Sequence, residues 1–567
     1  MKCPRCQHEN RSGAKFCEEC GTPFERLQLI PATDGMSSAL APALPYCIAV
    51  LAVALEIVLI LTYNGGRFTY TLDDSYIHLA VSEQIFHLHY GVNAREPSSP
   101  SSSIIFPFLL APFAPFRIHE DLPLVLNIVA LLAGIGFIAG VARRAGLDGT
   151  PPRRWFGAGL VALLVLALNH IGLVFTGMEH SLHVMVTLAV VLGLVVLLEE
   201  GRLPWWLLAA IVAGPLLRYE GVSVSAGALL VLAIMGRWRP ALAAFLACGA
   251  LVASFSAMLV ALGLPALPSS VLVKSGVAAA ALDEGSARGL LAQLTTLIFD
   301  PSLSAIVLMQ VVLLVIVRFL VQPRLRLQER ETLLTLFAVV VAGAHLMAGR
   351  FGWFGRYEIY AVSAVSVIAV YVWGRTLGAL VDRTGWPWAL TAVAMPIFLL
   401  AGPTFFYATL FTPRGANNIY EQQYQMHRFV TECHRGPVAV NDLGWVAYRN
   451  PYYVLDLAGL GSEEARRAKG RETYIPSPEW IREAASHRGV GLAMLYDEWF
   501  KGALPPEWIR VAELRLGHRR RTPAQAAVSF YVTEPSGVGR TLGCLRRFRD
   551  TLPPGVEIII FEPRPFS

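Results

Sequence analysis

Charged side chains are scarce in this sequence of 567 residues. Asp, Glu, Lys and Arg make up only 16% of the chain, whereas hydrophobic residues make up 54%, and the mean hydropathy is +0.51. Soluble domains carry about 25% charged residues, so this balance excludes an ordinary soluble globular protein. The formal net charge of +6 is small for the length, and many basic residues fall between apolar runs. Nucleic acid is therefore not an expected partner.

Cysteines are also few, and half of the eight lie within the first twenty residues. The other four are scattered singly, so a disulfide framework is not indicated, although one pair, Cys433 with Cys544, is left open. No cleavable signal peptide precedes the first cysteines. A glycine-rich phosphate loop is missing after the first strand-like run near the carboxy terminus, so nucleotide binding is not expected there.

The amino-terminal cysteines form two Cys-x-x-Cys pairs ten residues apart. The four residues are Cys3, Cys6, Cys17 and Cys20. Each pair can place two thiolates on one Zn²⁺ ion at about 2.3 Å, whereas redox-active pairs need a thioredoxin-like strand and helix that this segment lacks. We therefore predict a structural zinc ribbon over residues 1–24 and a flexible linker over residues 25–45. Thiolates that must stay reduced place the ribbon in the cytosol, where a cytosolic protein is a candidate partner.

Eleven apolar runs follow the linker, and each is a candidate to cross a hydrocarbon core of about 30 Å. Arginines are concentrated in alternate connections between the runs, which the positive-inside rule assigns to the cytosol. An odd number of spans then places everything after about residue 412 on the opposite side of the membrane. The runs lie near 46–63, 121–142, 155–176, 181–198, 203–217, 221–236, 241–263, 303–321, 331–348, 357–380 and 386–411.

We expect an α-helical polytopic membrane protein with about eleven transmembrane helices over residues 46–411. Residues 104–116 are apolar too, but three prolines interrupt them, which predicts a re-entrant or interfacial helix. Residues 412–567 are more polar, and their alternating strand-like and helical stretches predict an extracytoplasmic α/β domain. The strand-like runs are 438–440, 452–457, 491–496, 528–532 and 556–561, with a helix at 478–486.

The first outer loop, residues 64–120, carries an acidic pair directly after a membrane exit. Asp73 and Asp74 precede residues with helical apolar spacing, so the pair stands at the start of a helix. Capping and the helix macrodipole are one explanation for acidic residues there. A polar Pro/Ser stretch at 97–103 must fold back over the membrane surface, however, and this favours a functional role for the pair.

Other ionisable residues stand at the outer ends of the predicted helices. Each of them, taken alone, is explained as an interfacial anchor. The outer turns at 177–180 and 218–220 are very short, which confines their charges near the membrane boundary, so we predict one shared polar cavity. Its candidates are Glu179, His180, Arg218, Glu220, Lys274, Arg350 and Arg356.

These segments resemble the GT-C superfamily of membrane glycosyltransferases, which includes protein O-mannosyltransferases, aminoarabinose transferases acting on lipid A and mycobacterial arabinofuranosyltransferases. The acidic pair in DDSYI resembles that of the family's first outer loop. TGMEHSL and LLRYEG are similar to the turns TGLET and TRPEG of the arabinofuranosyltransferase-like branch, and LPSSVLVKSG and GRYEIYAVSAV are similar to its lysine and arginine segments. The resemblance covers roughly residues 46–460. Met178, His180 and Tyr219 depart from the pattern, so the choice of donor is not carried over.

The resemblance implies transfer of a sugar from a polyprenyl-phosphate carrier to an acceptor hydroxyl, usually with inversion, in bacterial cell-envelope synthesis. Asp73 is the expected base, worth about 10² to 10⁴ in rate, and Asp74 would orient the acceptor or raise the pKa of its neighbour. Arg218, Lys274 and Arg356 would bind the leaving phosphate. A divalent ion bridging carboxylates and phosphate would suit the same groups, and its presence is left open.

Three polar residues stand at strand ends in the predicted carboxy-terminal domain. Asn441, Asp442 and Asp456 would either contact the acceptor or cap turns. Capping is the more common role for such residues.

Two other classes of function compete with a transferase. A transporter or flippase of lipid-linked or envelope precursors also needs a polar cavity, but clear internal repeats and helices interrupted at the bilayer midplane are not seen in the sequence. A zinc-ribbon sensor with a ligand-binding outer domain leaves the acidic pair without a role. The sequence therefore favours an enzyme of the cell membrane, with a lipid-linked sugar as donor and an envelope glycan, lipid or protein as acceptor.

Overall fold

The computed structural model describes residues 40–274, 301–321, 329–469 and 475–562, together with residues 8, 9, 11, 16, 18–20, 295, 297 and 299. Three of the predicted zinc ligands, Cys3, Cys6 and Cys17, lie outside the described residues, and so does the side chain of Lys274. The described part contains a helical membrane module and a carboxy-terminal domain built on one sheet.

Each of the eleven predicted apolar runs forms at least one α-helix. The run at 155–176 divides into two helices at Asn169, which adopts a left-handed backbone conformation (φ +58°), and the run at 357–380 divides at a bend of 63°. The helices of the module are α1 (Leu44–Tyr63), α2 (Asp74–Phe86), α3 (Phe106–Leu110), α4 (Leu122–Arg144), α5 (Pro151–Ala167), α6 (His170–Val174), α7 (His180–Glu200), α8 (Trp205–Leu217), α9 (Gly221–Ile234), α10 (Trp238–Ala261), α11 (Ser269–Lys274), α12 (Leu303–Val321), α13 (Arg330–Ala348), α14 (Ile359–Val372), α15 (Gly374–Thr384) and α16 (Trp386–Ala401).

Seven helical segments of the described residues are long and apolar enough to cross a membrane, and the bent pair of α14 and α15 makes an eighth if it counts as one span. Helices α8 and α9 are apolar but shorter, at 13 and 14 residues. The prediction of a polytopic helical membrane protein is confirmed, whereas the count of about eleven spans stays a prediction. The seven segments are 41–63, 122–144, 180–200, 238–261, 303–321, 330–348 and 386–410.

Helix α7 lies at the centre of the module. It is apolar on all sides, and a helix of that kind is stable only when other helices or lipid surround it. In its most apolar window 83% of the residues are buried, compared with 17% in α10, and α4, α8 and α14 pack against it. As a result, the turn before α7, the turn after α8 and the segment before α14 meet at one end of the module.

The apolar stretch 104–116 does not form a spanning helix. Its prolines leave the five-residue helix α3 and a 3₁₀ turn at Ala111–Phe113. The amides of Ile104 and Ile105 donate hydrogen bonds of 3.1 Å to the carbonyl oxygen of Leu216, which ties the stretch to the end of α8. The stretch thus contains a short helix, as predicted, and its re-entrant or interfacial position stays a prediction.

The carboxy-terminal domain contains one six-stranded sheet. Its strands are β1 (Val438–Val440), β2 (Val454–Asp456), β3 (Leu492–Leu495), β4 (Ile509–Arg515), β5 (Ala527–Val532) and β6 (Glu557–Ile560). Their order is β2-β1-β3-β5-β4-β6, in which β1 pairs in parallel with β2 and β3 and the other pairs are antiparallel. All five predicted strands are present. Strand β4 is not predicted by the sequence analysis, because charged residues make up three of its seven positions and obscure its apolar face.

A disulfide joins Cys433, in the π-helical segment Phe429–His434, to Cys544, with 6.0 Å between their Cα atoms. The pairing that the sequence leaves open is therefore present. The helices that lead into the domain and surround its sheet are α17 (Tyr407–Leu410), α18 (Thr412–Glu421), α19 (Gln423–Arg428), α20 (Gly444–Ala447), α21 (Glu463–Ala468), α22 (Pro478–His487) and α23 (Val538–Arg549).

Candidate active site

A cavity of about 810 Å³ lies between one end of the membrane module and the carboxy-terminal domain. One wall combines the acidic pair with the segment between α13 and α14. The other wall comes largely from segments that follow β1, β2 and β3, which converge because these strands are parallel and end at the same edge of the sheet. The charged and amide side chains in the walls are Asp73, Asp74, Arg350, Arg356, Gln423, Asn441, Asp442, Lys469 and Glu498.

Asp73 is fixed by backbone donors from the carboxy-terminal domain. It is 6% exposed, and its two carboxylate oxygens accept hydrogen bonds of 2.8 Å from the amides of Gly444 and Trp445 at the start of α20. A Cβ atom at Gly444 would lie 2.1 Å from the Asp73 carbonyl oxygen and 2.5 Å from its Cγ, so a glycine is needed for this contact. The first outer loop and the domain therefore meet through Asp73.

Asp74 and Arg356 form an ion pair in the cavity wall, with 2.6 Å between Oδ2 and Nη2. Arg356 is 3% exposed, and its Nη2 also donates to the hydroxyl of Tyr357 at 2.9 Å, while Nη1 lies 2.8 Å from Sδ of Met178. Its Nε has no hydrogen-bond partner among the described residues. Arg356 also lines the cavity, and a guanidinium in such a wall is suited to binding an anion.

Asp442 brings a third carboxyl group to the cavity. Its Oδ2 accepts hydrogen bonds from Gln423 Nε2 at 2.8 Å and from Tyr496 OH at 3.0 Å, and its side chain hydrogen-bonds to that of Asp73. Burial, followed by the charge of Asp442, raises the pKa of Asp73 well above its ordinary value, although the two backbone donors act in the opposite direction. Burial also raises the pKa of Asp442. Two adjacent carboxyl groups of this kind can hold one proton between them.

The other polar residues at strand ends accept hydrogen bonds from backbone amides. Asn441 Oδ1 accepts a hydrogen bond of 2.8 Å from the amide of Tyr496. Asp456 accepts hydrogen bonds of 2.7 to 2.9 Å from three amides of the turn that follows it. Asp456 thus caps the turn that follows it, whereas Asn441 links the ends of β1 and β3 and lines the cavity, and Asp442 takes part in the carboxyl cluster.

The segment between Arg350 and Arg356 has an uncommon backbone conformation. Four consecutive residues have positive φ: Gly352 (+86°), Trp353 (+46°), Phe354 (+70°) and Gly355 (+64°). The left-handed conformation costs a non-glycine residue about 1–2 kcal/mol. Asn169 Nδ2 donates a hydrogen bond of 2.7 Å to the carbonyl oxygen of Phe354 and helps to hold the segment. Both arginines at its ends line the cavity.

Four of the predicted cavity residues lie in a separate polar group, here called the lower group and formed by His78, Glu179, His180, Arg218 and Glu220. Arg218 Nη1 lies 2.7 Å from Glu179 Oε1, and its Nη2 lies 2.7 Å from Glu220 Oε1. His78 Nε2 lies 3.1 Å from Glu179 Oε2. Glu179, His180 and Arg218 are 0%, 1% and 5% exposed.

The ring of Tyr357 lies between the lower group and the cavity. It is 5.7 Å from the guanidinium carbon of Arg218 and 4.9 Å from that of Arg356. Tyr357 and Arg356 line the cavity, whereas the members of the lower group do not reach its wall. The predicted shared cavity therefore divides into an open part and a closed part.

The predicted site residues that the structure brings to one cavity are Asp73, Asp74, Arg350 and Arg356. Lys274 ends α11 directly after Val273, which lines the cavity. Asp442, Lys469 and Glu498 line the cavity as well, and of these three only Asp442 is named among the sequence candidates, as a polar residue at a strand end. A signal for Asp442 is available, because NDLGW directly follows a predicted strand, and the carboxyl ends of parallel strands are common positions for ligand-binding residues.

The presence of a divalent ion at these carboxylates stays an open prediction. In the part of the chain that the structure describes, no group of three or more His, Cys, Asp or Glu residues is placed to hold a metal ion. Both oxygens of Asp73 accept backbone hydrogen bonds, and Asp74 is paired with Arg356.

Two family descriptions match parts of the chain. Residues 3–40 match "Double zinc ribbon", and residues 417–531 match "Domain of unknown function (DUF8728)". The first match confirms the predicted amino-terminal zinc ribbon and extends beyond the predicted boundary at residue 24. Four cysteines lie in that range, enough for one tetrahedral zinc ion. No curated protein sequence matches the chain.

Several solved structures are similar to this chain at low sequence identity. The oligosaccharyltransferase of Archaeoglobus fulgidus is 14% identical, with 83% of this chain and 73% of that chain covered and a TM-score of 0.45. ArnT from Cupriavidus metallidurans is 13% identical, with 86% and 98% covered and a TM-score of 0.48. The mycobacterial arabinofuranosyltransferase AftD is 15% identical, with 86% and 41% covered and a TM-score of 0.40. These three TM-scores are below 0.5, so the likeness is limited to a loose similarity of fold.

Proposed function

We propose that this protein transfers a sugar from a polyprenyl-phosphate carrier to an acceptor hydroxyl in cell-envelope synthesis. The observation that carries the proposal is that a carboxyl cluster and two arginines line one cavity at the end of the membrane helices. A carboxyl group can take the proton of the acceptor, and cations stabilise the leaving phosphate. Asp73 with Asp442 supplies the first requirement, and Arg350 with Arg356 supplies the second.

Asp73 is the proposed base. The acceptor oxygen attacks the anomeric carbon and forms a new C–O bond, while the bond from that carbon to the phosphate oxygen breaks and its electron pair leaves with the phosphate. The acceptor proton passes to Asp73 and is shared with Asp442. Each Asp73 oxygen accepts one backbone hydrogen bond and keeps a further lone pair for this proton. A raised pKa suits the role, because it makes the carboxylate a stronger base.

Attack on the face opposite the phosphate gives inversion at the anomeric carbon. The leaving phosphate would then lie near Arg350 and Arg356, which both line the cavity. Asp74 holds the Arg356 guanidinium in place. Arg218 forms ion pairs with two glutamates, so we assign it a structural role behind the cavity wall. We retain Lys274 as a phosphate ligand because α11 borders the cavity.

We infer that the amino terminus is cytosolic and that the carboxy-terminal domain is extracytoplasmic. The arginine pattern of the connections supports this orientation. The cysteines support it as well, because ribbon thiolates need a reducing compartment, whereas the disulfide between Cys433 and Cys544 belongs to an oxidising one.

The test is sugar transfer in membranes that contain the protein. A panel of radiolabelled polyprenyl-phosphate sugars would be supplied to the intact protein and to Asp73→Asn at matched expression. We expect transfer from at least one donor and a loss of about 10² to 10⁴-fold in the variant. Asp550→Asn is the matched control, because this aspartate is 79% exposed on the carboxy-terminal domain and does not line the cavity, and it should transfer at the rate of the intact protein.

The outcomes separate the reaction from the residue. Full transfer by Asp73→Asn would contradict the assignment of the base and leave the reaction in place. No transfer from any donor, together with movement of a lipid-linked precursor across the membrane, would replace the transferase by a transporter.

A further inference from the structure

Large hydrophobic side chains are rarely exposed on the carboxy-terminal domain. Among the described residues from 412 to 562, Trp499 is the only one, with 43% of its surface exposed. It lies in the wall of the cavity. Ligand pockets are lined by aromatic side chains with a few polar groups, so an exposed ring in a cavity wall is a candidate binding surface.

Trp499 is held in position by the sheet and by the carboxyl cluster. It belongs to a 3₁₀ turn that begins at Asp497, and Asp497 accepts a hydrogen bond of 2.7 Å from Ser529 Oγ on β5. The Trp499 ring packs edge-on against Tyr496, with 5.4 Å between ring centroids. Tyr496 in turn donates a hydrogen bond to Asp442. Tyr496 therefore links the Trp499 ring to the carboxyl cluster of Asp73 and Asp442.

A second tryptophan lies in the opposite wall. Trp353 is 52% exposed, lines the cavity and has a φ of +46° within the left-handed segment. A bulky residue is an outlier at positive φ, and backbone strain of this kind is concentrated at functional positions. Its ring is displayed to the cavity despite this strain.

Polar side chains accompany both rings. Glu498, next to Trp499, is exposed, and its Oε2 accepts a hydrogen bond of 2.7 Å from Gln525, which leaves further acceptor positions on the carboxylate. Lys469 lines the same wall, and Arg350 lines the wall of Trp353. The region thus combines aromatic faces with hydrogen-bond donors and acceptors.

We propose that this region binds a saccharide ring of the acceptor, with Trp499 and Trp353 as platforms and Glu498 and Lys469 as hydrogen-bond partners. A sugar ring has apolar C–H faces that pack on aromatic planes, and hydroxyls at its edge that need both donors and acceptors. The inference rests on the proposed function and narrows the acceptor to a glycan. It also gives the domain at 417–531 a role in acceptor recognition.

A lipid acceptor would need an uninterrupted apolar groove, and an extended peptide would need the free edge of a strand. The region instead mixes charged and aromatic side chains. The sugar of the donor is a second source of a saccharide ring. We assign the ring on Trp499 to the acceptor because Trp499 belongs to the carboxy-terminal domain, whereas the proposed phosphate ligands Arg350 and Arg356 belong to the membrane module. Trp353 stands between these two arginines in the chain, so it would border the donor as well as the acceptor ring.

Binding can be measured without transfer. The purified full-length protein in detergent would be mixed with methyl glycosides of glucose, galactose, mannose, N-acetylglucosamine and arabinose and observed by saturation-transfer NMR. We expect saturation of sugar C–H protons by the intact protein and an affinity at least about tenfold weaker in Trp499→Ala. Trp499→Phe keeps an aromatic face and should bind with intermediate affinity. Trp205→Ala removes a tryptophan that is 79% exposed at the start of α8, and it should bind like the intact protein.

The variant Trp353→Gly separates loss of binding from loss of fold. Glycine adopts positive φ without penalty, so this change removes the ring and the backbone strain together. We expect weaker binding of the glycosides with no fall in thermal stability. Unchanged binding would remove Trp353 from the platform.

Transfer kinetics distinguish the two sources of a sugar ring. Trp499→Ala should raise KM for the acceptor and leave KM for the lipid-linked donor unchanged, whereas a rise in donor KM alone would overturn the assignment. The saccharide site would also be overturned if no glycoside binds to the intact protein, or if Trp499→Ala binds the glycosides equally well. Either result would count against the site even if the protein transfers sugar to another acceptor. Trp499-dependent binding by a protein that transfers no sugar would keep the site and contradict the proposed function.

Discussion

The cavity and the lower group contain the same kinds of charged residue at the same end of the membrane module, but they differ in how completely the charges are paired. In the lower group, Arg218 lies 2.7 Å from both Glu179 and Glu220. In the cavity, Arg356 pairs with Asp74 and keeps an Nε donor that no described residue accepts. The first arrangement is typical of a structural ion-pair network, and the second can accept an anion.

The difference comes from what each group faces. The lower group is enclosed by elements of the membrane module, where charges must be paired because unpaired ones are costly to bury. The cavity group faces the carboxy-terminal domain across an open volume, so a ligand can complete its interactions. Whether a charged residue at a helix end can bind a ligand therefore depends on the open volume beside it and on the ion pairs that it already makes.

The largest effect on stability is expected from Arg218→Met. It leaves Glu179, which is 0% exposed, without its cation, and breaking a buried ion pair in this way costs about 3–5 kcal/mol. Thermal unfolding in detergent should show a large loss of stability. Arg356→Met leaves Asp74 without its cation, but Asp74 is 23% exposed, so the loss of stability should be smaller. The same variant should lower transfer activity, because Arg356 is a proposed phosphate ligand. Equal destabilisation by the two variants would contradict the distinction between the groups.

A large effect on activity is expected from Gly444→Ala. The new Cβ atom would lie 2.1 Å from the Asp73 carbonyl oxygen, so Asp73 must move away from the two amides that fix it. A displacement of about 1 Å at a reacting group can cost 10²-fold in rate, and we expect a loss of about that size in the transfer assay.

Gly539→Ala is the matched control for this variant. No atom lies within 4 Å of the position that its Cβ would take, so it should transfer like the intact protein. Normal transfer by Gly444→Ala would show that the contact between α20 and Asp73 is not required.

Most of the helical module can be predicted from the sequence, because a long apolar run has few alternatives to a helix in a membrane. The strands of the carboxy-terminal domain are predicted for a similar reason, since each is a short apolar run between polar segments. Strand β4 is missed, because its apolar residues are interrupted by Arg510, Glu513 and Arg515. The acidic pair and Arg356 are also assigned to a common site in advance of the structure.

The division of the charges into two groups cannot be predicted in this way. Sequence position says at which helix end a residue stands, but it does not say which residues face it. Arg218 reaches Glu179 across 39 positions, and Asp73 reaches Gly444 across 371. The first contact depends on how α7 and α8 pack, and the second depends on how the carboxy-terminal domain sits on the module. The packing of the elements, rather than residue type, decides which charged side chains are buried in ion pairs and which line the cavity.

The smallest effect, on pH dependence more than on maximal rate, is expected from Asp442→Asn. The charge of Asp442 is one of the causes that raise the pKa of Asp73, so the neutral amide should lower that pKa. Asp73 would then lose its proton at a lower pH, and the acid limb of the transfer rate should move to lower pH than in the intact protein. At neutral pH the rate should fall modestly, because the carboxylate is a weaker base. Asp550→Asn removes an exposed charge from the same domain and should leave the limb in place. If the acid limb of the pH–rate profile does not move in Asp442→Asn, the titrating base is not Asp73. A different residue of the cavity would then have to be the proton acceptor.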